Sequence, residues 1–368
     1  MQIYETDDKD LNYRAKIAFI GARHPHMFHR VQVLKYFQNI EVIGFFEDDK
    51  NLAKQFGNYS GYRSFPSLES LLKEKPDLAV IEAMDDEIPD YALQAAPHTR
   101  ALLLEKCSAP SYKEALRLAD GLSRYPVHVE HGYELHYLEI IRDVMKILQS
   151  GVLGQITLAR FHGGCPLGCG AEIWQSNPRS MGGIVYSEGS HLIELILHTL
   201  GMPEKISGRV KKLPLGEKMK SAWVTKDMYA KTNPATDVQV GGLMYEDVGA
   251  AIMEYPTMLA TLDLTGWEAT DWVNGWTMEY YGTNGSMVVH PYPSRLELDV
   301  AEPRAGYPAG YSYQEIPPTN SRGDSLICGT YVTQFKKVFS LLQDSPEPCQ
   351  EGAKIIRNVC YIVNQIYQ

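Results

Sequence analysis

KIAFIGARHPHMFHR, residues 16–30, opens as a strand and closes as a helix. The run KIAFIG (16–21) is short, apolar and stopped by a glycine, which reads as a buried strand entering a turn. Beyond the turn Met27, Val31, Leu34 and Gln38 fall at near-helical spacing, so a helix is predicted over 26–38. A second apolar strand, IEVIGFF (40–46), ends in the acidic run Glu47, Asp48, Asp49. Further out the alternation continues. Ser67 caps a helix in LESLLKEK, 77–83 is a third strand, 89–96 a short helix and 100–106 a fourth strand. Ser111 to Glu114 is a capping box that opens a helix to about residue 123, and 127–133 is another strand. Strand and helix in strict alternation imply a parallel, doubly wound sheet, because each parallel pair needs a crossover. A helix over 137–150, stopped by Gly151, leads out of this unit.

The texture then changes. QITLARFHGG, KISGRVKKL, DVQVGGLMYE, GAAIMEYPTMLATLDLTGW, WTMEYYGTNGSMVVHP and SRLELDVA read as strands joined by tight turns, with Thr283-Asn284-Gly285 as a hairpin turn. Two helices, over 330–342 and 352–365, close the chain. The expected fold is therefore α/β in two domains. Residues 1–133, with a polar extension over 1–14, form the first; residues 134–368 form a second α/β domain with a large, mainly antiparallel open sheet.

Composition excludes some functions. The 368 residues are 44% hydrophobic and 22% charged, ordinary globular values that allow two buried cores. The net charge of −10 repels nucleic acid and anionic lipid, so neither is expected as a main partner. No apolar run reaches the ~20 residues of a membrane span, and 1–14 lacks the apolar centre of a signal peptide. A cytoplasmic location is expected, and the six cysteines are too sparse for a disulfide framework. Cys165 and Cys169 make a CxxxC pair without further ligands at a recognisable spacing, so no metal is expected there.

The first turn is the candidate cofactor site. A dinucleotide needs a strand, a tight turn and a helix N-terminus, whose N–H groups and dipole hold the pyrophosphate. Here the turn reads Gly21-Ala22-Arg23-His24-Pro25-His26, with one glycine of the three in G-x-G-x-x-G. Glu47 lies 26 residues after Gly21, at the end of the second strand. A carboxylate there can bind ribose hydroxyls and repel a 2′-phosphate, which favours NAD over NADP. The bland alternative is a solvated turn acid. Arg23 can pair with phosphate. His24, His26 and His29 suggest zinc, but helical metal pairs are normally i, i+4, so pyrophosphate contact or capping is preferred. Ala83, Met84, Glu105 and Lys106, at the ends of the third and fourth strands, complete the expected cofactor-binding set.

Four stretches carry a family resemblance: KIAFIGARHPHMFHR, LLLEKCSAPSYKEA, ILQSGVLGQI and GGIVYSEGSHLIELILHTLG. Together they resemble the Gfo/Idh/MocA family over nearly the whole chain. The last is similar to that family's G-G-x-x-x-D-x-G-x-H-x-x-D helix. The resemblance implies an N-terminal Rossmann domain, a nicotinamide cofactor and hydride transfer at a sugar, cyclitol or similar hydroxyl carbon. It also implies a homodimer or homotetramer formed through the C-terminal sheet. Lys106 matches the lysine of the family's E-K-P segment, His191 its catalytic histidine, and Glu194 the last aspartate of the helix motif. Cys107 replaces the proline, which leaves open whether the cis bond there is kept. Ser187 replaces an aspartate of the catalytic set. Glu188 is the neighbouring carboxylate, but adjacent helical side chains point about 100° apart.

In chemical terms, His191 suits a base because imidazole titrates near neutrality, and Lys106 can orient a substrate oxygen, stabilise charge on it, or relay a proton if burial lowers its pKa. The candidate catalytic set is Lys106, His191 and Glu188. Aromatic walls for a sugar are sought in 163–174 and 267–276. Two alternatives stay open: redox-neutral sugar bond cleavage with retained NAD, and a ligand-binding or regulatory protein without catalysis.

Overall fold

The computed structural model describes residues 12–168, 177–221, 235–268, 275–316, 326–345 and 347–368. The first domain runs β1 (Asn12–Ile20), α1 (His26–Val33), β2 (Gln38–Phe46), α2 (Lys50–Ser60), α3 (Leu68–Leu72), β3 (Leu78–Ile81), α4 (Ile88–Ala95), β4 (Ala101–Leu104), α5 (Tyr112–Leu122) and β5 (His128–His131). All five strands are parallel, in the order β2-β1-β3-β4-β5. Period-2 alternation in β1 builds two cores. Ile17 and Phe19 face one layer, Ala18 and Ile20 the other.

Several boundaries differ from the sequence expectation. The helix predicted over 26–38 ends at Val33 and tightens into a 3-10 turn over Leu34–Tyr36, and β2 begins at Gln38. α2 had no apolar stripe to reveal it, since only Phe56 is buried; its signals are Asp49, which accepts N–H bonds from Asn51 and Leu52, and left-handed Gly61 at its end. The helix predicted from 137 is α6 (Glu139–Ser150), preceded by a 3-10 turn over Glu134–Tyr137, and left-handed Gly151 ends it as expected.

The second domain continues with β6 (Ile156–Pro166), α7 (Ile184–Ser187), α8 (Gly189–Leu200), β7 (Lys205–Lys211), β8 (Lys218–Ser221), β9 (Thr236–Gln239), β10 (Val248–Glu254), β11 (Leu259–Glu268), β12 (Trp276–Gly282), β13 (Gly285–His290), β14 (Arg295–Val300), β15 (Gly310–Glu315), α9 (Leu326–Asp344) and α10 (Glu351–Tyr367). Eight strands form one sheet, ordered β15-β14-β13-β12-β6-β11-β10-β7. It is antiparallel except at its centre, where β6 and β11 run parallel. Thr283-Asn284 links β12 to β13, with Gly282 opposite Gly285. DVQVGGLMYE yields only the short β9, paired with β8 in a separate ribbon.

The two domains share a core. Leu104 and Tyr133 from the first, Leu192 and Ile193 from α8, and Leu262 and Met278 from the large sheet belong to one buried cluster. Helix α9 returns to the first domain, where Tyr331, Phe335 and Phe339 pack with Ile17, Phe19 and Phe37. The carboxyl ends of the parallel strands therefore face α8 across a dry seam.

Candidate functional site

Lys106 stands near the start of the loop after β4 and lies almost fully buried. Its Nζ donates to the Ser187 carbonyl at 2.8 Å and lies 4.0 Å from Glu188 Oε1. Burial alone would lower its pKa, but the carboxylates of Glu188, Glu105 and Glu134 outweigh burial and hold it above the ordinary lysine value. Burial of Lys106 is thus not accompanied by the lowered pKa that a proton relay would need. The Lys106–Cys107 peptide is cis, as the resembled family's bond would be. Cys107 Sγ lies 3.1 Å from the Tyr186 carbonyl and 3.2 Å from Ser190 Oγ, and burial pushes its thiol up to about 12.

His191 lies in the first turn of α8, buried against Tyr133 and Trp276, whose rings are 5.7 and 5.8 Å from its own. Burial, then the charge of Lys106, push its pKa well below the usual histidine range, so it is neutral rather than poised near pH 7. Its Nδ1 has no hydrogen-bond partner and faces Glu134 Oε2 at 3.7 Å, which has none either. Ser187 Oγ is also buried without a partner. Glu134 was not singled out from the sequence; it follows β5 in a 3-10 turn that no periodicity marks. Burial raises its pKa. Glu188 approaches Lys106 through its carboxylate. Glu194 pairs with His136 at 2.8 Å.

The glycine turn is closed on itself. Gly21 has φ +79°, and a Cβ there would meet Ala83 at 2.9 Å, so the close approach of β1 and β3 explains this glycine. Gly21 N–H donates to the Phe46 carbonyl, Ala22 N–H to Glu47 Oε2 at 2.8 Å, and Arg23 and His24 N–H to the Glu82 carbonyl at 3.0 and 3.3 Å. Glu47 stands at the end of β2 as expected, with its other oxygen accepting Asp49 N–H at 3.0 Å; burial pushes it up to about 7. It is a buried turn acid, not a solvated one. Arg23 spans Glu47, Asp48 and Glu87, at 3.4, 2.6 and 3.2 Å. Met84 N–H donates to Glu87 Oε2. Pro25 precedes α1 without a side-chain cap.

The three histidines of the turn separate. His29 stacks on Tyr331, ring centroids 5.3 Å apart, and burial lowers it to about 4. His24 and His26 instead converge on Glu105. His26 Nδ1 lies 2.9 Å and His24 Nδ1 3.6 Å from Glu105 Oε1, while Arg30 Nη2 donates to Oε2 at 2.9 Å. Arg30, fully buried, also contacts Glu82 and Gln334. The sequence displayed Arg30 but gave no reason to bury it. A cleft beside this group is lined by His24, Met84, Asp85, Lys106, Ser180 and Ser187. Asp85 accepts from Ser180 Oγ at 2.5 Å and Asn177 Nδ2 at 2.9 Å, tying the first domain to the segment before α7. Of the expected aromatic walls, Trp276 faces His191, whereas residues 169–174 and 269–274 fall outside the described residues, as do 1–11 of the polar extension. Cys165 is buried, and Cys169 also falls outside the described residues.

A parallel-sheet domain is thus joined to an open, mainly antiparallel sheet, with Lys106 and His191 at their seam, and sequence comparison identifies the family this architecture belongs to. Residues 15–133 match the oxidoreductase family with the NAD-binding Rossmann fold, and 141–288 match the GFO/IDH/MocA C-terminal domain; the chain belongs to the GFO/IDH/MocA family. It is similar to glucose-6-phosphate 3-dehydrogenase of Bacillus subtilis, 25% identical over 185 residues, 49% of this chain and 52% of the relative. The match thus spans about half the length of that curated relative. An oxidoreductase from Agrobacterium radiobacter, solved with NAD+, L-tartaric acid and magnesium, superposes with a TM-score of 0.75 at 15% identity, covering 95% of this chain and 94% of that one. The transcriptional regulator Gal80p from Kluyveromyces lactis superposes with a TM-score of 0.74 at 12% identity, covering 99% and 93%. At such identities the superpositions show the fold alone. Among the described residues no helix is long and apolar enough to cross a membrane.

Proposed function

We propose that this chain is an NAD-dependent oxidoreductase that moves a hydride at a hydroxyl carbon of a sugar, cyclitol or related polyol. The observation that carries this reading is the convergence of the Lys106 ammonium, neutral His191 and three unpartnered buried polar atoms, Ser187 Oγ, His191 Nδ1 and Glu134 Oε2, beside the carboxyl ends of the parallel strands. Buried polar atoms without partners are uncommon in finished structure, and a hydroxyl-rich ligand supplies what they lack. The nicotinamide, when bound, accepts the hydride. His191, whose pKa burial holds below the usual histidine range, takes the hydroxyl proton. Lys106, anchored on the Ser187 carbonyl and balanced by Glu188, stabilises the developing oxyanion. Gly21, Arg23, His24, Pro25, His26, Ala83, Met84 and Glu105 surround the cofactor, and Glu47 at the end of β2 favours NAD over NADP. The sugar-dehydrogenase relative supports the substrate class. The exposed face of the large sheet, where Ile252 and Leu259 are half-exposed, supports association of copies into a dimer or tetramer.

One observation favours a second reading, a ligand-binding or regulatory protein: the N–H groups of Gly21, Ala22, Arg23 and His24 all have acceptors within the chain. Calorimetric titration with NAD+ and NADP+ separates the two. Binding of NAD+ with NADH release from a polyol supports the oxidoreductase; no affinity for either nucleotide supports the regulator. Bond cleavage without net NADH would mark the redox-neutral variant.

A further inference from the structure

Beneath the glycine turn lies a buried group of nitrogen and oxygen ligands that hydride transfer does not require. His24 and His26 present Nδ1 to the same oxygen, Glu105 Oε1, at 3.6 and 2.9 Å. The three ligand atoms all lie within 4.8 Å of one another, and the histidine rings are 4.4 Å apart. Around a tetrahedral zinc with bonds of about 2.0 Å, ligand atoms stand about 3.3 Å apart, and the two observed separations bracket that value. His24 accepts a long bond (3.3 Å) from His26 N–H at Nδ1, so its neutral form carries the proton on Nε2 and keeps a lone pair at Nδ1, pointed toward another acceptor. A cation resolves that opposition.

A second, independent observation points the same way. Glu134 is more than nine-tenths buried, and its Oε2, which has no hydrogen-bond partner, lies 3.9 Å from His26 Nδ1 and 3.7 Å from the equally unpartnered His191 Nδ1.

We propose that His24, His26 and Glu105 bind one divalent transition-metal ion, with Glu134 as the adjoining acidic group. Imidazole and carboxylate together select zinc or a neighbouring first-row ion over magnesium or calcium. Three protein ligands leave room for one exogenous oxygen, the arrangement of a reactive rather than a purely structural site. Arg30 on the second oxygen of Glu105 orients the carboxylate as an outer partner.

The proposal does not rest on the oxidoreductase reading. The test uses full-length protein freed of any affinity tag, stripped with chelator and titrated with Co2+ and Zn2+. The expected result is one ion per chain and a visible cobalt spectrum of low coordination number. His26→Ala should weaken binding by 10- to 100-fold or more, on the order of what even outer-partner losses cause. His29→Ala, whose ring stacks on Tyr331, should bind as the parent does. Wild-type protein that takes up less than about a tenth of an equivalent, or whose cobalt stays as the free aqua ion, overturns the proposal whatever the variants do. NAD+ titration of the same samples reports separately on the oxidoreductase reading.

Discussion

The glycine turn and the seam at α8 lie side by side, yet they are built differently. In the turn every N–H from Gly21 to His24 has an acceptor, and Arg23 is tied to three carboxylates. At the seam Ser187 Oγ, His191 Nδ1 and Glu134 Oε2 are buried without a hydrogen-bond partner. A satisfied region is stable as it stands; a region with buried unpartnered groups stores unmet interactions that a ligand can complete. The difference assigns stability to the turn and chemistry to the seam, so substitutions should separate along the same line.

The largest effects are expected at the seam. Lys106→Met should lower kcat by ~10²–10³, the loss typical of a removed oxyanion donor, and His191→Asn by ~10²–10⁴, with circular dichroism unchanged. Equal turnover in either variant would erase the distinction between the regions. Glu134→Gln should lower turnover by about tenfold, equivalent to about 1.4 kcal/mol in the barrier, while leaving the melting temperature level or higher, because it removes a buried carboxylate without changing volume. A drop in melting temperature with normal turnover would move Glu134 to the structural side.

Smaller effects are expected in the turn, and pH exposes them. Glu47 is raised to about 7 by burial, so the folded state binds its proton more tightly than the unfolded chain does. For a raised acid, stability falls as pH rises from the unfolded value, about 4.5, to the folded one, and is level above it. Wild-type stability relative to Glu47→Gln should therefore decline between about pH 4.5 and pH 7 in chemical denaturation; a flat difference would contradict it. The smallest change is expected for Arg23→Ala, about 0–1 kcal/mol in stability for partly exposed ion pairs and, at saturating NAD+, less than about threefold in turnover, its cofactor contact showing instead as a raised KM for NAD+.

Much of the first domain was legible because parallel strands are continuous apolar runs and its helices carry caps, as Ser67 and Ser111 do. α2 escaped because it buries almost nothing, so its sequence need not be amphipathic. Lys106 and His191 were visible through family-like segments. Glu134, Arg30 and Glu82 were not, since their roles arise from contacts between positions far apart in the chain, such as Arg30 with Glu105 and Gln334. Spacing also misled. H-x-H-x-x-H groups three histidines on paper, but the start of α1 turns His29 toward Tyr331 and leaves His24 and His26 to meet Glu105 from another strand end. Glu47 stands at the end of β2 as its spacing predicts, and the fold adds what spacing does not show, its oxygens accepting from Ala22 and Asp49 N–H.

The most direct test of the division between turn and seam is a single-turnover measurement of NADH formation at 340 nm, at saturating NAD+ and with a panel of sugars and cyclitols, on the wild type, Arg23→Ala and Lys106→Met. The account predicts NADH from the wild type and from Arg23→Ala at similar rates, and none above background from Lys106→Met. NADH formed as fast by Lys106→Met, or lost with Arg23→Ala alone, would contradict it.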